Sequence, residues 1–167
     1  MAECFPEEGM SGMRFIRDDA FHIKISSAYR SVGEGIKSVE FIRKKDDALL
    51  FVEAKTSFAN PQNPESMDKF NSEINDICDK YLHSLNWLAS VRMGVNRDKL
   101  PDCFSVAGEI SLVLVLVIRT FKTEWCKPIN AKLQQKLPSY FRKIWRPKIF
   151  VVSYDYAIKQ GLAIANH

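Results

Sequence analysis

Glu40, Glu53 and Lys55 are the residues of this chain whose types and spacing point most directly to chemistry. They lie in "KSVEFIRKKDDALLFVEAKTSF", Lys37 to Phe58, where two apolar runs flank Lys45-Asp46-Asp47. A turn centred between Asp46 and Asp47 sets a register in which Ile42 faces Phe51, Phe41 faces Val52, and Glu40 faces Glu53. The two carboxylates then share one face of a hairpin, with Cβ atoms roughly 4.5–5.5 Å apart, and like charges so placed destabilise a sheet unless something counters them. Lys55, two residues beyond Glu53, projects from the same face. Two carboxylates and one ammonium make a hard oxygen site suited to Mg²⁺ or Mn²⁺, ions that keep several waters and bind through one or two carboxylates plus a phosphate. Such an ion lowers the pKa of a bound water and neutralises charge growing on a phosphate. A lysine beside it orients the water or stabilises the transition state. The alternative is an edge hairpin whose exposed face pairs Glu40 with Lys55.

The elements that must position these groups can be read from pattern. "FHIKISS" (21–27) alternates apolar and polar residues, predicting a strand, and "SVGEG" (31–35) is turn chemistry. The hairpin strands follow at 37–44 and 48–56. Asn63 is placed as an N-cap, with Pro64 at the first helical position and Glu65 complementing the helix terminus. Met67, Phe70, Ile74, Ile77, Tyr81, Leu85 and Leu88 recur at three and four residues, and Gly94 is a natural stop, so a long amphipathic helix is expected between them. "ISLVLVLVIRTF" (110–121) is apolar on both faces, the mark of a central strand covered on both sides. A basic helical segment opens at Pro128, breaks at Pro138 and runs to Trp145; "KIFVVSYDY" (148–156) closes as a strand. The order β-β-β-α-β-α-β implies an α/β (α+β) fold with a mixed central sheet of about five strands flanked by helices. Residues 1–12 lack periodicity and read as a flexible segment before a single domain, 13–167.

"GIKSVEFI" followed by "LLFVEAK" resembles the metal-binding hairpin of the PD-(D/E)xK nuclease superfamily: an acid on one strand, a loop, then a hydrophobic strand ending in (D/E)-x-K. The resemblance implies a restriction-endonuclease-like core and metal-dependent hydrolysis of phosphodiester bonds, leaving 5′-phosphate and 3′-hydroxyl ends. It places Glu40 at the first acid, Glu53 at the second and Lys55 at the lysine, all catalytic, with the Ala54 backbone carbonyl completing the metal ligands. The first acid is Glu where Asp is more usual. Many members also carry an N-terminal helix with a further glutamate, for which Glu34 in "VGEGI" stands as the substitute ligand.

The net charge is +4, and it is unevenly spread. Residues 121–148 hold six Lys and two Arg against Glu124 alone, so the rest of the chain is net negative. A localised basic block is the electrostatic footprint expected of a polyanion-binding surface. Lys132, Lys136, Arg142 and Lys143 are the candidate nucleic-acid contacts, while Phe141 and Trp145, four apart, are assigned to packing. DNA and RNA remain equally open, as does a catalytically inactive module that binds nucleic acid or protein, or an accessory subunit; a homodimer is compatible with the size. The four scattered cysteines suit a reduced, intracellular and cytoplasmic chain. The longest apolar run is too short to span a bilayer, so no membrane partner is expected. His22 and His83 are read as structural, and no nucleophile elbow, P-loop or dinucleotide fingerprint is present.

Overall fold

A computed structural model describes residues 4–5, 10–105 and 108–166. The chain forms a five-stranded mixed sheet flanked by helices. Its strands are β2 (Ala20–Phe21), β3 (Phe41–Lys45), β4 (Ala48–Lys55), β5 (Ser111–Ile118) and β6 (Lys148–Ser153), lying in that order across the sheet. The β2–β3 and β3–β4 pairs are antiparallel; β4–β5 and β5–β6 are parallel. β1 (Arg14–Phe15) and β7 (Ala163–Ile164) form a separate two-stranded ribbon. The helices are α1 (Ser27–Val32), α2 (Met67–Arg92), α3 (Cys126–Lys136), α4 (Ser139–Trp145) and α5 (Tyr154–Lys159).

The central hairpin turns at Asp46-Asp47, and Phe41 pairs with Val52 and Ile42 with Phe51, the register expected from the turn. Period-two alternation then divides the sheet into two faces. Phe51, Leu112, Leu114, Leu116, Ile118 and Val151 face one core with Phe70, Ile74, Ile77 and Tyr81 of α2, Ile129 and Leu133 of α3, and Phe141 of α4. Phe41, Val52, Ala54, Val113, Val115 and Val117 face a second core with Phe5, Met10, Met13, Phe15, Tyr154, Ala157 and Leu162. β5 is therefore apolar from Leu112 to Ile118 because both its faces are covered.

The approach to α2 differs from the sequence reading by one turn: the Asn63 side chain accepts from the Glu65 N–H and caps a 3₁₀ turn over Pro64–Ser66, and α2 itself starts at Met67 after Ser66, whose side chain makes no cap bond; Gly94 at φ +74° follows the helix end as expected. Three further expectations need correction. The strand predicted at 21–27 is extended only at its start; Ile23–Ile25 form a 3₁₀ turn, and Ser26 accepts from the Tyr29 N–H to start α1. Its alternating residues satisfy either reading, and the Ser26 cap decides between them. The strand predicted at 148–156 stops at Ser153, whose side chain accepts from the Tyr156 N–H and opens α5. Trp145 is half-exposed at 47% and is not a core anchor, whereas Phe141 is buried. Within the stretch read as flexible, Phe5 and Met10 are buried.

No helix among the described residues is long and apolar enough to cross a membrane. Cys4, Cys78, Cys103 and Cys126 form no disulfide among the described residues.

Candidate functional site

The hairpin register brings the two glutamates to one place. The Glu40 N–H donates at 3.0 Å to the carbonyl of Val52, the residue that Phe41 already faces, so the regular pairing ends at Phe41 and Glu40 sits in a bulge just before β3 instead of directly opposite Glu53, close enough for its charge to act on Glu53. Both are buried, Glu40 at 5% exposure and Glu53 at 0%. Lys55, two residues past Glu53 at the end of β4, is half-buried.

Burying two carboxylates together is costly, and the chain offsets it with lysines from elements outside the hairpin. Lys24 Nζ, from the 3₁₀ turn before α1, lies 2.8 Å from Glu40 Oε1. Lys80 Nζ, from α2, lies 2.6 Å from Glu53 Oε1. Asp76, one turn before Lys80, then takes three cations: Lys37 at 3.3 Å, Lys55 at 3.5 Å and Lys80 at 3.6 Å. The pairing of Glu40 with Lys55, expected of a solvated edge hairpin, does not form, because Lys24 and Asp76 each take one partner first.

The second oxygen of each glutamate is less well served. Glu40 Oε2 and Glu53 Oε2 are buried and have no hydrogen-bond partner among the described residues. An acceptor left without a donor in a low-dielectric site costs free energy, and a hard cation is one group that removes that cost. Burial pushes the Glu53 carboxyl up to about 7, Lys80 works against the shift, and the charge of Glu40 adds to it. Burial pulls Lys80 down, but the charge and hydrogen bond of Glu53, with Asp76 and Glu40, leave it raised overall. Asp76 is likewise opposed by burial, yet Lys80, Lys55 and Lys37 hold it below the usual carboxylate range.

The remaining candidate ligands are placed differently. The Ala54 carbonyl accepts from Ser11 Oγ at 3.1 Å, leaving one lone pair. Ser11 and Gly12, both at positive φ, form a tight turn closed by the Met13 N–H to the Met10 carbonyl, which lays the N-terminal segment against the end of β4. Arg119, just past β5, packs on Gly12 and joins β4 through its N–H to the Lys55 carbonyl at 2.9 Å. Glu34 is exposed in the turn after α1, and no hydrogen bond or ion pair among the described residues ties it to Glu40 or Glu53. His22 packs edge-on against Phe5, and His83 Nδ1 accepts from the Lys37 N–H.

No family model, curated protein or solved structure matches the chain. The chemistry of the site therefore rests on its own atoms. Among the described residues, no group of three or more His, Cys, Asp and Glu is arranged to hold a metal ion. The donors that a hard divalent cation would have to use are Glu40 Oε2, Glu53 Oε2 and the second lone pair of the Ala54 carbonyl, with water or a phosphate supplying the rest.

The basic block divides in two. On α3, Lys132 lines a groove with Pro61, Met67, Phe70, Pro128, Ala131 and Gln135, and Lys136 is exposed. Arg142 and Lys143 on α4 are exposed as well. Lys55, Ile118 and Ser153 share one end of the sheet, while Val113 and Lys148 mark the other. α4 runs into the start of β6, so Arg142 and Lys143 stand at the end away from Lys55.

Asp76, Lys24 and Arg119 are the residues here that sequence reasoning missed. Asp76 had a signal: with Lys80 it forms an i, i+4 pair on the polar side of a helix predicted to cover the hairpin. Lys24 and Arg119 had none, because their approach depends on how the chain turns at 22–26 and just beyond β5.

Proposed function

We propose that this chain is a metal-dependent nuclease of the PD-(D/E)xK kind, with a restriction-endonuclease-like core, hydrolysing phosphodiester bonds with Mg²⁺ or Mn²⁺. The observation that carries the reading is the pair of buried carboxylates, Glu40 and Glu53, each with one oxygen lacking a donor among the described residues, with Lys55 two residues past Glu53 on β4. The ion would supply a water of lowered pKa and positive charge against the phosphate. Glu40, Glu53 and the Ala54 carbonyl would hold it.

Lys55 orients the attacking water and donates toward the phosphate oxygen that gains charge. Water adds to phosphorus, the P–O3′ bond breaks, and the leaving oxygen ends protonated as a 3′-hydroxyl opposite a 5′-phosphate. Asp76 holds Lys55 in place from α2 through their ion pair at 3.5 Å, which makes it a positioning residue. Lys132 and Lys136 meet the nucleic-acid backbone through phosphate contacts, whose strength falls with salt.

A test is incubation of the protein with end-labelled DNA and RNA, single- and double-stranded, in Mn²⁺ and in chelator. Cleavage that chelator abolishes, and that falls by a hundred-fold or more in Lys55→Ala, is the expected outcome. Chelator-insensitive cleavage, or Lys55→Ala cleaving at the wild-type rate, contradicts it.

One observation favours a second reading, a catalytically inactive module of the same architecture that binds nucleic acid or a protein. Lys24 and Lys80 already neutralise the two glutamates, as they would in a site that has no ion to hold. That module binds nucleic acid with a steep salt dependence and turns nothing over.

A further inference from the structure

α4 is anchored by one residue and leaves three large apolar groups in solvent. Phe141 is buried among Leu133 and Leu137, whereas Tyr140 is 63% exposed, Ile144 70% and Trp145 47%. A seven-residue helix with one core contact would ordinarily carry polar groups on its other sides. Tyr140 and Ile144, one turn apart, emerge on one side of the anchor, and Trp145 emerges on the other. Between and beyond them stand Arg142, Lys143, Arg146 and Lys148, all exposed. The chain carries no carboxylate from Trp125 through Tyr154. Arg146 ends the helix at φ +46°, a left-handed position that glycine takes at no steric cost. A long cationic side chain is kept there instead.

Aromatic rings beside unopposed cations meet both halves of an unpaired strand: rings stack on the faces of bases, and cations track the phosphates. A duplex hides its base faces, so exposed rings contribute nothing to gripping it. We infer that α4 is a docking platform for single-stranded nucleic acid, with Tyr140 and Trp145 stacking on unpaired bases and Arg142, Lys143, Arg146 and Lys148 holding the phosphates. The inference rests on the reading of this chain as a nucleic-acid protein, and it adds a substrate class. Because α4 lies at the end of the sheet away from Lys55, a strand held there reaches the hairpin only by running along the α3 face past Lys136 and Lys132. The bound strand thus spans the sheet, which suits long unpaired substrates better than short ones.

The experiment is fluorescence anisotropy with a labelled oligo-dT, an oligo-U and a duplex of equal length, at two salt concentrations and in chelator so that nothing is cut. Wild-type protein is expected to hold the single strands more tightly than the duplex. Tyr140→Ala is expected to weaken single-strand binding about ten-fold and leave duplex binding unchanged. Tyr140→Phe, which keeps the ring, is expected to bind as wild type does. Arg142→Gln is expected to weaken every substrate alike and to flatten the salt dependence. Tyr140 is exposed enough for its replacement to leave folding intact, which circular dichroism checks. Equal affinity of wild type and Tyr140→Ala for single strands overturns the proposal, whether or not the protein cleaves in Mn²⁺. Ring-dependent single-strand binding without cleavage upholds it and removes hydrolysis instead. A concentration-dependent dimer that Tyr140→Ala abolishes, with oligonucleotide affinity unchanged, makes α4 a protein interface and overturns it as well.

Discussion

Glu53 and Lys80 form the most heavily buried ion pair of the site, and their energies depend on pH in a direction that can be worked out. The folded-state pKa of Glu53, about 7, stands above the ordinary value of 4.5. Between those values the folded chain holds a proton that the unfolded chain has released. The contribution of Glu53 to stability is thus fully present below about pH 4.5 and is lost as pH rises through 7, to a total of about 3 kcal/mol. His22 acts in the opposite sense: burial, then Lys24, Arg17 and Arg30, lower it from 6.5 to about 4. Its contribution is present above pH 6.5 and is lost as pH falls through 4. The two partly cancel in the wild type, so Glu53→Gln should expose the acid-side loss due to His22 in urea unfolding between pH 4 and 8. A related expectation concerns the pair itself. Lys80→Met leaves a buried carboxylate unpaired and should cost about 3 kcal/mol at pH 8, but clearly less at pH 5, where Glu53 takes up a proton. Adding Glu53→Gln to Lys80→Met should recover most of that loss, and a double-mutant cycle measures the recovery.

At the scale of elements, the legible parts were those in which local chemistry and burial agree. β5 could be read because seven apolar residues in a row, 112–118, suit only a strand covered on both faces, and α2 because its apolar spacing, the Asn63 cap just ahead of it and the Gly94 stop coincide. The hairpin could be read down to its register, since a two-residue turn at Asp46-Asp47 admits one pairing. What misled was the run after Phe21, where Phe21, Ile23 and Ile25 alternate like a strand although Ile25 points to solvent and Ser26 caps a helix. The end of β6 repeats the lesson, with Ser153 switching the chain from strand to helix. Asn63→Ala should cost about 1 kcal/mol in thermal or urea unfolding, because it removes the acceptor that caps the 3₁₀ turn leading into α2. Gly12→Ala should cost about as much, because the backbone is held at φ +71°, where alanine is strained, while the flexible Arg119 guanidinium can move aside from the new methyl. If Gly12→Ala unfolds like the wild type, the N-terminal turn does not hold residue 12 at positive φ.

Across the whole molecule, the sheet brings together residues that lie far apart in sequence, and this limited what could be inferred from sequence. Glu40, Glu53 and Lys55 were legible because they share one hairpin. Lys24 and Arg119 were not, because they arrive from a 3₁₀ turn and the end of a neighbouring strand, and Asp76 was overlooked although it stands one turn from Lys80 on the helix that covers the hairpin. Charge patterning identified the basic block, but only the parallel β4–β5–β6 arrangement separates α3, beside α2, from α4 at the far end. The central claim is that Glu40 and Glu53 hold a divalent ion, and the most direct test is anomalous diffraction from a crystal soaked in Mn²⁺. A peak beside both carboxylates, absent in Glu53→Gln, is the result predicted. A fully soaked crystal with no peak there, Lys24 and Lys80 still paired with the two glutamates, would contradict it.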